Sequence, residues 1–187
     1  MLKRFWRQVR CDRGATLAEF AFTLPFLAVI LYAIFDFGAA LTLKQKLEQA
    51  VYEAARSASS QSTDDFSNPA VAASGSVADL RDLVAQNLRG AGINDCGLLG
   101  AGATSSNAAT AVWAYNVSAG GCPAPLILTI RRQAVTTVGG ETVFMSRITL
   151  QYPYQYHLAP ILRVFSPGST FPASANLVVN SSMKNLL

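Results

Sequence analysis

Residues 13–41 read RGATLAEFAFTLPFLAVILYAIFDFGAAL, and this stretch decides the architecture. From Phe20 to Phe35 it carries no charge. Glu19 and Asp36 bracket the run, about 25 Å apart along a helix. A hydrocarbon core about 30 Å thick lets both carboxylates sit near opposite interfaces. Deep in lipid a charge costs at least ~2.5 kcal/mol. The run therefore reads as a membrane-crossing helix over residues 15–43. Pro25 lacks the N–H that would bond the Ala21 carbonyl, which predicts a mild bend near the amino-terminal interface.

Upstream, residues 1–14 hold Lys3, Arg4, Arg7, Arg10 and Arg13 against Asp12 and so account for the whole formal net charge of +4. A basic tail directly before an apolar run marks the cytoplasmic side of a membrane segment. Phe5 and Trp6 fit the aromatic belt of the inner interface. The remaining basic and acidic residues cancel, so no basic stripe for nucleic acid is left on a folded domain. With 187 residues, 51% hydrophobic and 14% charged, the chain suffices for one modest domain plus an anchor.

Downstream, Leu43, Leu47, Ala50, Val51, Ala54 and Ala58 recur at helical spacing, with Lys44, Lys46, Glu48, Glu53 and Arg56 on the other side. No Gly or Pro intervenes before Ser59, which predicts one helix from about Ala15 to Ser59, roughly 65 Å long. Residues 59–75 read as a polar loop. A second helix is expected over 77–89, started by Ser76 with Asp79 in a capping-box arrangement and stopped by Gly90 and Gly92. Residues 90–109 read as a loop.

From residue 110 the pattern is β: 111–117, then 126–138 and 141–156 across Gly139-Gly140, then 174–183. Two β-rich runs joined by Gly-Gly predict a hairpin. Pro153 is expected to end or bulge its strand, or to lie at an edge. The fold class is α+β: a long amino-terminal transmembrane helix continuing as a spine, packed on a small antiparallel sheet of about four strands. The boundaries expected are a leader at 1–14, a membrane helix at 15–43 and an extracytoplasmic domain at 44–187 with its helical spine at 44–59.

Catalysis is disfavoured by the residue inventory. His157 is the single histidine, and Glu141 is the sole acid after Asp95. Neither a histidine metal cluster nor a carboxylate pair in the β half can be built from these. No GxSxG, Walker A or dinucleotide fingerprint is present. Gly120-Gly121-Cys122 has no placed base. Cys11 falls in the leader, whereas Cys96 and Cys122 follow the apolar run and face an oxidising compartment. A Cys96–Cys122 bridge pinning the loop between them is expected; the alternative is two free thiols. Trp113, Tyr115, Tyr152, Tyr154 and Tyr156 pack in or border the sheet; the other reading is an adhesive stripe. Asp36 reads as an outer-interface residue or a lock between subunits.

The segment 13–41, the helix QKLEQAVYEAARSAS at 45–59, the strand ITLQYPY at 148–154 and the closing NLVVNSSM at 176–183 resemble type IV prepilins. Within these the chain looks like the TadE-like pseudopilins, or minor pilins, of tight-adherence (Tad) pilus systems. The resemblance implies cleavage by a prepilin peptidase between Gly14 and Ala15, making Glu19 the fifth mature residue. Glu19 would then pair with the new α-amino group of a neighbouring subunit and set axial register. The bland alternative is an interfacial Glu favoured by the helix dipole.

The resemblance further implies a non-catalytic inner-membrane protein, amino terminus cytoplasmic, that assists assembly of Flp-type pili, adhesion and biofilm formation. Its expected partners are the peptidase, other pilins and the Tad assembly-platform proteins, with no cofactor, nucleic acid or small-molecule substrate. Two rivals stand beside it: a permanently anchored bitopic protein with a periplasmic binding domain, and a secreted protein cut after Gly38-Ala39-Ala40. The apolar run exceeds the usual signal-peptide core of about 7–15 residues, which counts against the second.

Overall fold

The computed structural model describes residues 12–61, 76–107, 110–165, 168 and 172–185. The leader through Cys11, with Phe5 and Trp6, and the polar loop at 62–75 lie outside the described residues. The elements in chain order are α1 (Asp12–Ser60), α2 (Ser76–Gly90), β1 (Ser105–Asn107), β2 (Val112–Val117), β3 (Leu126–Val138), β4 (Glu141–Gln155), α3 (Leu158–Phe165) and β5 (Ser174–Lys184). The chain divides into two compact units. One comprises residues 1–39 and 157–173, the other 40–156 and 174–187.

In the first unit, α1 runs unbroken through Pro25. The Thr23 hydroxyl donates to the Phe20 carbonyl at 3.2 Å, so it stays satisfied without water. The apolar stretch is long enough to cross a membrane, and only 11% of its most apolar window is buried. A soluble core helix would be mostly covered.

The second unit places the remainder of α1 and α2 on one face of the sheet. Leu47, Val51, Ala54, Ala55 and Ala58 of α1 and Leu80, Val84, Ala85 and Leu88 of α2 are fully buried in a core shared with the inward side of the strands. The serines at the end of α1 turn back on the helix, Ser59 Oγ to the Arg56 carbonyl at 2.8 Å and Ser60 Oγ to that of Ser57 at 2.9 Å. Hydroxyls that compete for carbonyls in this way favour termination. Helix α2 stops by the expected glycine mechanism. Gly92 takes φ +75°, with Gly92 N bonded to the Arg89 carbonyl and Ile93 N to the Leu88 carbonyl, the paired bonds of a Schellman end. Its start differs from expectation: among the described residues Ser76 Oγ is buried with no hydrogen-bond partner, so the capping box is not formed.

The sheet has five strands in the order β1-β2-β3-β4-β5, every neighbouring pair antiparallel. Its inward side is built from aligned rows. Tyr115 faces Leu128, Leu128 faces Leu150 and Leu150 faces Val179; Trp113 faces Ile130, which faces Ile148. All seven of these side chains are buried. The β3–β4 turn is Gly139-Gly140 with φ of 62° and 87°, the doubly left-handed geometry that two-residue hairpins require.

Two irregularities adjust the frame. Between Arg131 and Ala134 the β3–β4 register shifts, so that two residues of β3 oppose Ser146 alone. There Ser146 Oγ donates to Asn185 Oδ1 at 2.7 Å and Asn185 Nδ2 to the Arg132 carbonyl at 2.9 Å. The buried Arg132 guanidinium donates to Gln61 Oε1 at 2.9 Å, tying the bulge to the end of α1; burial lowers its pKa to about 10. Pro153 neither ends nor bulges β4. It pairs with Asn176 of β5, and β3 pairing has already stopped at Gln151. The strand is therefore locally an edge, where a missing N–H is tolerated.

Candidate processing and assembly site

Gly14 and Ala15 lie within the described span of α1, Asp12–Ser60. Glycine at position 14 lowers helix stability by about 0.8–1 kcal/mol relative to alanine. Glu19 is exposed, and no partner contacts it among the described residues. Positions 15 and 19 are spaced i, i+4 and share one face of the helix.

At the far end of the apolar run Asp36 is buried, its side chain 3% exposed. One oxygen accepts the Leu158 N–H at 3.0 Å, and the other lies 3.5 Å from His157 Nδ1. Asp36 therefore caps α3, bonding one of the donors that the start of a helix leaves free. The sequence offered no sign of this pairing, because its partners stand more than a hundred positions downstream.

The cysteines are joined in the second unit. Cys96 and Cys122 form a disulfide with Cα atoms 5.7 Å apart. Asn94 holds the two loops together from both sides: its Nδ2 donates to the Gly120 carbonyl at 2.6 Å and its Oδ1 accepts Cys96 N at 2.9 Å. Ala119 N adds a bond to the Cys96 carbonyl at 2.9 Å. Gly97 sits at φ +81°, and a Cβ there would come within 2.8 Å of the Ala119 Cβ. Close approach and backbone both demand glycine.

Charged pairs secure the same region. Arg81 bonds Asp82 and the Ala101 carbonyl and lies over the Tyr115 ring at 5.7 Å. The hydrogen bond from Arg81 holds the Asp82 carboxyl below its usual range, and the same bond raises Arg81. Burial opposes ionisation of Asp95, but Arg89 at 3.0 Å and the Leu99 N–H outweigh it and keep that carboxyl low. Burial raises the Tyr115 and Tyr152 hydroxyls.

Trp113 and Tyr115 are buried in the core, and Tyr154 and Tyr156 pack edge to face at 5.2 Å. A groove of about 360 Å³ runs between α1 and α2, beside Lys46, Gln49, Glu53 and Asn87. Its polar groups bond one another, Asn87 to Glu53 at 2.9 Å and Lys46 to the Ala91 carbonyl at 3.0 Å. No group of His, Cys, Asp and Glu that could hold a metal occurs among the described residues.

A helix that is apolar and exposed in one part, and continues as a core element of an α+β unit, fits a single-pass membrane-anchored protein with a small folded domain. Residues 14–56 match the family model of TadE-like proteins. Over this stretch of apolar helix and spine the chain is similar to TadE-like proteins, in line with the resemblance read from the sequence. No solved structure and no curated protein gave a match.

Proposed function

We propose that this protein is a non-catalytic minor pilin of a Tad system, inserted with residues 1–14 cytoplasmic, cut by a prepilin peptidase between Gly14 and Ala15, and engaged in assembly of adhesive Flp-type pili. One observation carries the reading: the family match begins at Gly14 itself and follows α1 through both its exposed and its buried stretches. Removing residues 1–14 removes the whole net charge of +4, which would otherwise resist extraction of the helix from the membrane. It also exposes an α-amino group one helical turn from Glu19. In the packed helices of a fibre, a desolvated carboxylate is stable only when paired, so Glu19 and the amino group of a neighbouring subunit set the axial register. The other partners are further pilins and the assembly platform in the inner membrane.

The intact mass of the mature chain, expressed with its own peptidase, tests this. A chain starting at Ala15 is expected. A start at Leu41 makes it a secreted protein, and an intact Met1 or Leu2 start makes it a permanently anchored bitopic protein.

A further inference from the structure

Gln155 of β4 pairs with Ser174 of β5, so a tight turn would suffice to join these strands. The chain instead makes an excursion over residues 156–173, and residues 157–173 group with the apolar part of α1 and not with the sheet. The excursion contains α3, LAPILRVF, with Pro160 in its first turn, where a missing N–H costs nothing. Leu158, Ile161 and Leu162 recur at helical spacing. Leu158 and Ala159 are buried outside the main core, Ile161 and Leu162 are only partly covered, and Arg163 is exposed.

The tether of α3 fixes its level. Asp36, the first charge after the uncharged run, accepts the Leu158 N–H and faces His157. Whichever side of the bilayer the domain occupies, the end of that run marks the boundary between hydrocarbon and headgroups. The excursion holds no Asp or Glu, and His157 and Arg163 are its basic side chains. A short apolar helix whose one polar side chain is Arg163 suits a layer of anionic phosphates over acyl chains.

We infer that α3 is an interfacial membrane helix, seated in the anionic phospholipid headgroup layer beside the end of the apolar helix and held there by the Asp36 clamp. This rests on the reading of α1 as a membrane anchor. The helix fixes the depth of the chain at the membrane surface, with Arg163 directed to lipid phosphates.

Depth-dependent quenching tests it. The full chain carrying Cys11→Ser and Ile161→Cys, labelled with an environment-sensitive fluorophore, is reconstituted in phosphatidylcholine–phosphatidylglycerol vesicles containing headgroup or deep acyl-chain nitroxides. Ile30→Cys and Glu141→Cys serve as the deep and aqueous references. For a helix about 5–10 Å into the interface, the label at 161 is quenched roughly three-fold more by headgroup than by deep nitroxides. Asp36→Ala shifts that label toward the behaviour of the one at 141, while the Cys96–Cys122 bridge and the unfolding transition of the domain report that it still folds. If 30 is quenched deeply but 161 behaves like 141, the inference on α3 falls and the anchor stands. If 30 is not quenched deeply, the anchor reading falls and this one with it. A label at 161 shielded from water and from both nitroxides identifies a protein partner and overturns the lipid assignment.

Discussion

The two stretches of α1 are made of similarly apolar residues and have opposite surroundings. In the first, Phe22 and Phe35 are about three-quarters exposed; in the second, Leu47, Val51, Ala54, Ala55 and Ala58 are fully buried. Side-chain size separates them. Large aromatic and branched residues face outward in the exposed stretch, whereas Ala50, Ala54, Ala55 and Ala58 let the buried stretch lie close to its neighbours. Hydrophobicity alone does not say what covers a helix; residue size and the placement of charges come nearer to doing so. The distinction predicts that substitutions on one helix, equal in chemistry, differ widely in effect.

The largest effect belongs to the buried stretch. Leu47→Ala should destabilise the domain by about 2–5 kcal/mol, because deleting a fully buried side chain leaves a cavity. Phe22→Ala, in the exposed stretch, should change the same transition by less than about 0.5 kcal/mol. Denaturant unfolding in detergent, followed by tryptophan fluorescence, compares them, with Trp113 reporting on the core. Equal losses would dissolve the distinction.

Next in size is the disulfide. Paired Cys96→Ser and Cys122→Ser substitutions should cost about 2–4 kcal/mol by releasing a closed loop. A non-reducing peptide mass map should find the two cysteines linked, and two free thiols would remove the bridge from the account of this region.

Acid should act on the domain and not on the exposed apolar stretch. Asp82 and Asp95 titrate below their unfolded values, so their stabilising contribution is present above the ordinary carboxylate pKa of about 4 and is lost as pH falls through their lower folded values. The domain transition should weaken below about pH 4. Asp95→Asn should flatten that dependence and lower stability at neutral pH by about 1–3 kcal/mol. A pH-independent transition between about pH 2 and 6 would contradict this pairing.

The smallest effect is expected where β4 meets β5. Replacing residues 156–173 by Asn-Gly should leave domain stability within about 1 kcal/mol, since the strands already pair up to Gln155–Ser174 and a shorter loop closes at little cost. A larger loss would make the excursion part of the domain's own frame.

Much of this frame was legible in the chain. The apolar run, the stripe from Leu43 to Ala58 and the Gly139-Gly140 hairpin each carry periodicity or turn chemistry that local physics forces, and β2 to β5 fall within a residue or two of their expected bounds. The features not legible depend on partners distant in sequence. β1, only Ser105–Asn107, has no pattern of its own and exists because β2 offers it an edge, making five strands where about four were expected. Helix α3 is short, contains Pro160 and is held by a carboxylate far upstream. The bulge at Arg132 reads as uninterrupted strand, and only Ser146 and Asn185 opposite it show why the ladder slips. At the candidate site, Gly14, Ala15 and Glu19 were legible as a motif; the engagement of Asp36 was not.

The order of the strands has a consequence for how the molecule is made. Each strand pairs with the one synthesised before it, so a chain emerging amino terminus first can add every ladder to an existing edge as it arrives. Such sequential pairing keeps contacts short in sequence and the search fast. The cost falls early: α1 and α2 come first, and their apolar sides wait uncovered until β3 and β4 arrive. The interval between the second helix and the Gly139-Gly140 turn is therefore the stage of biogenesis most exposed to aggregation, and the stage at which a holdase would matter most.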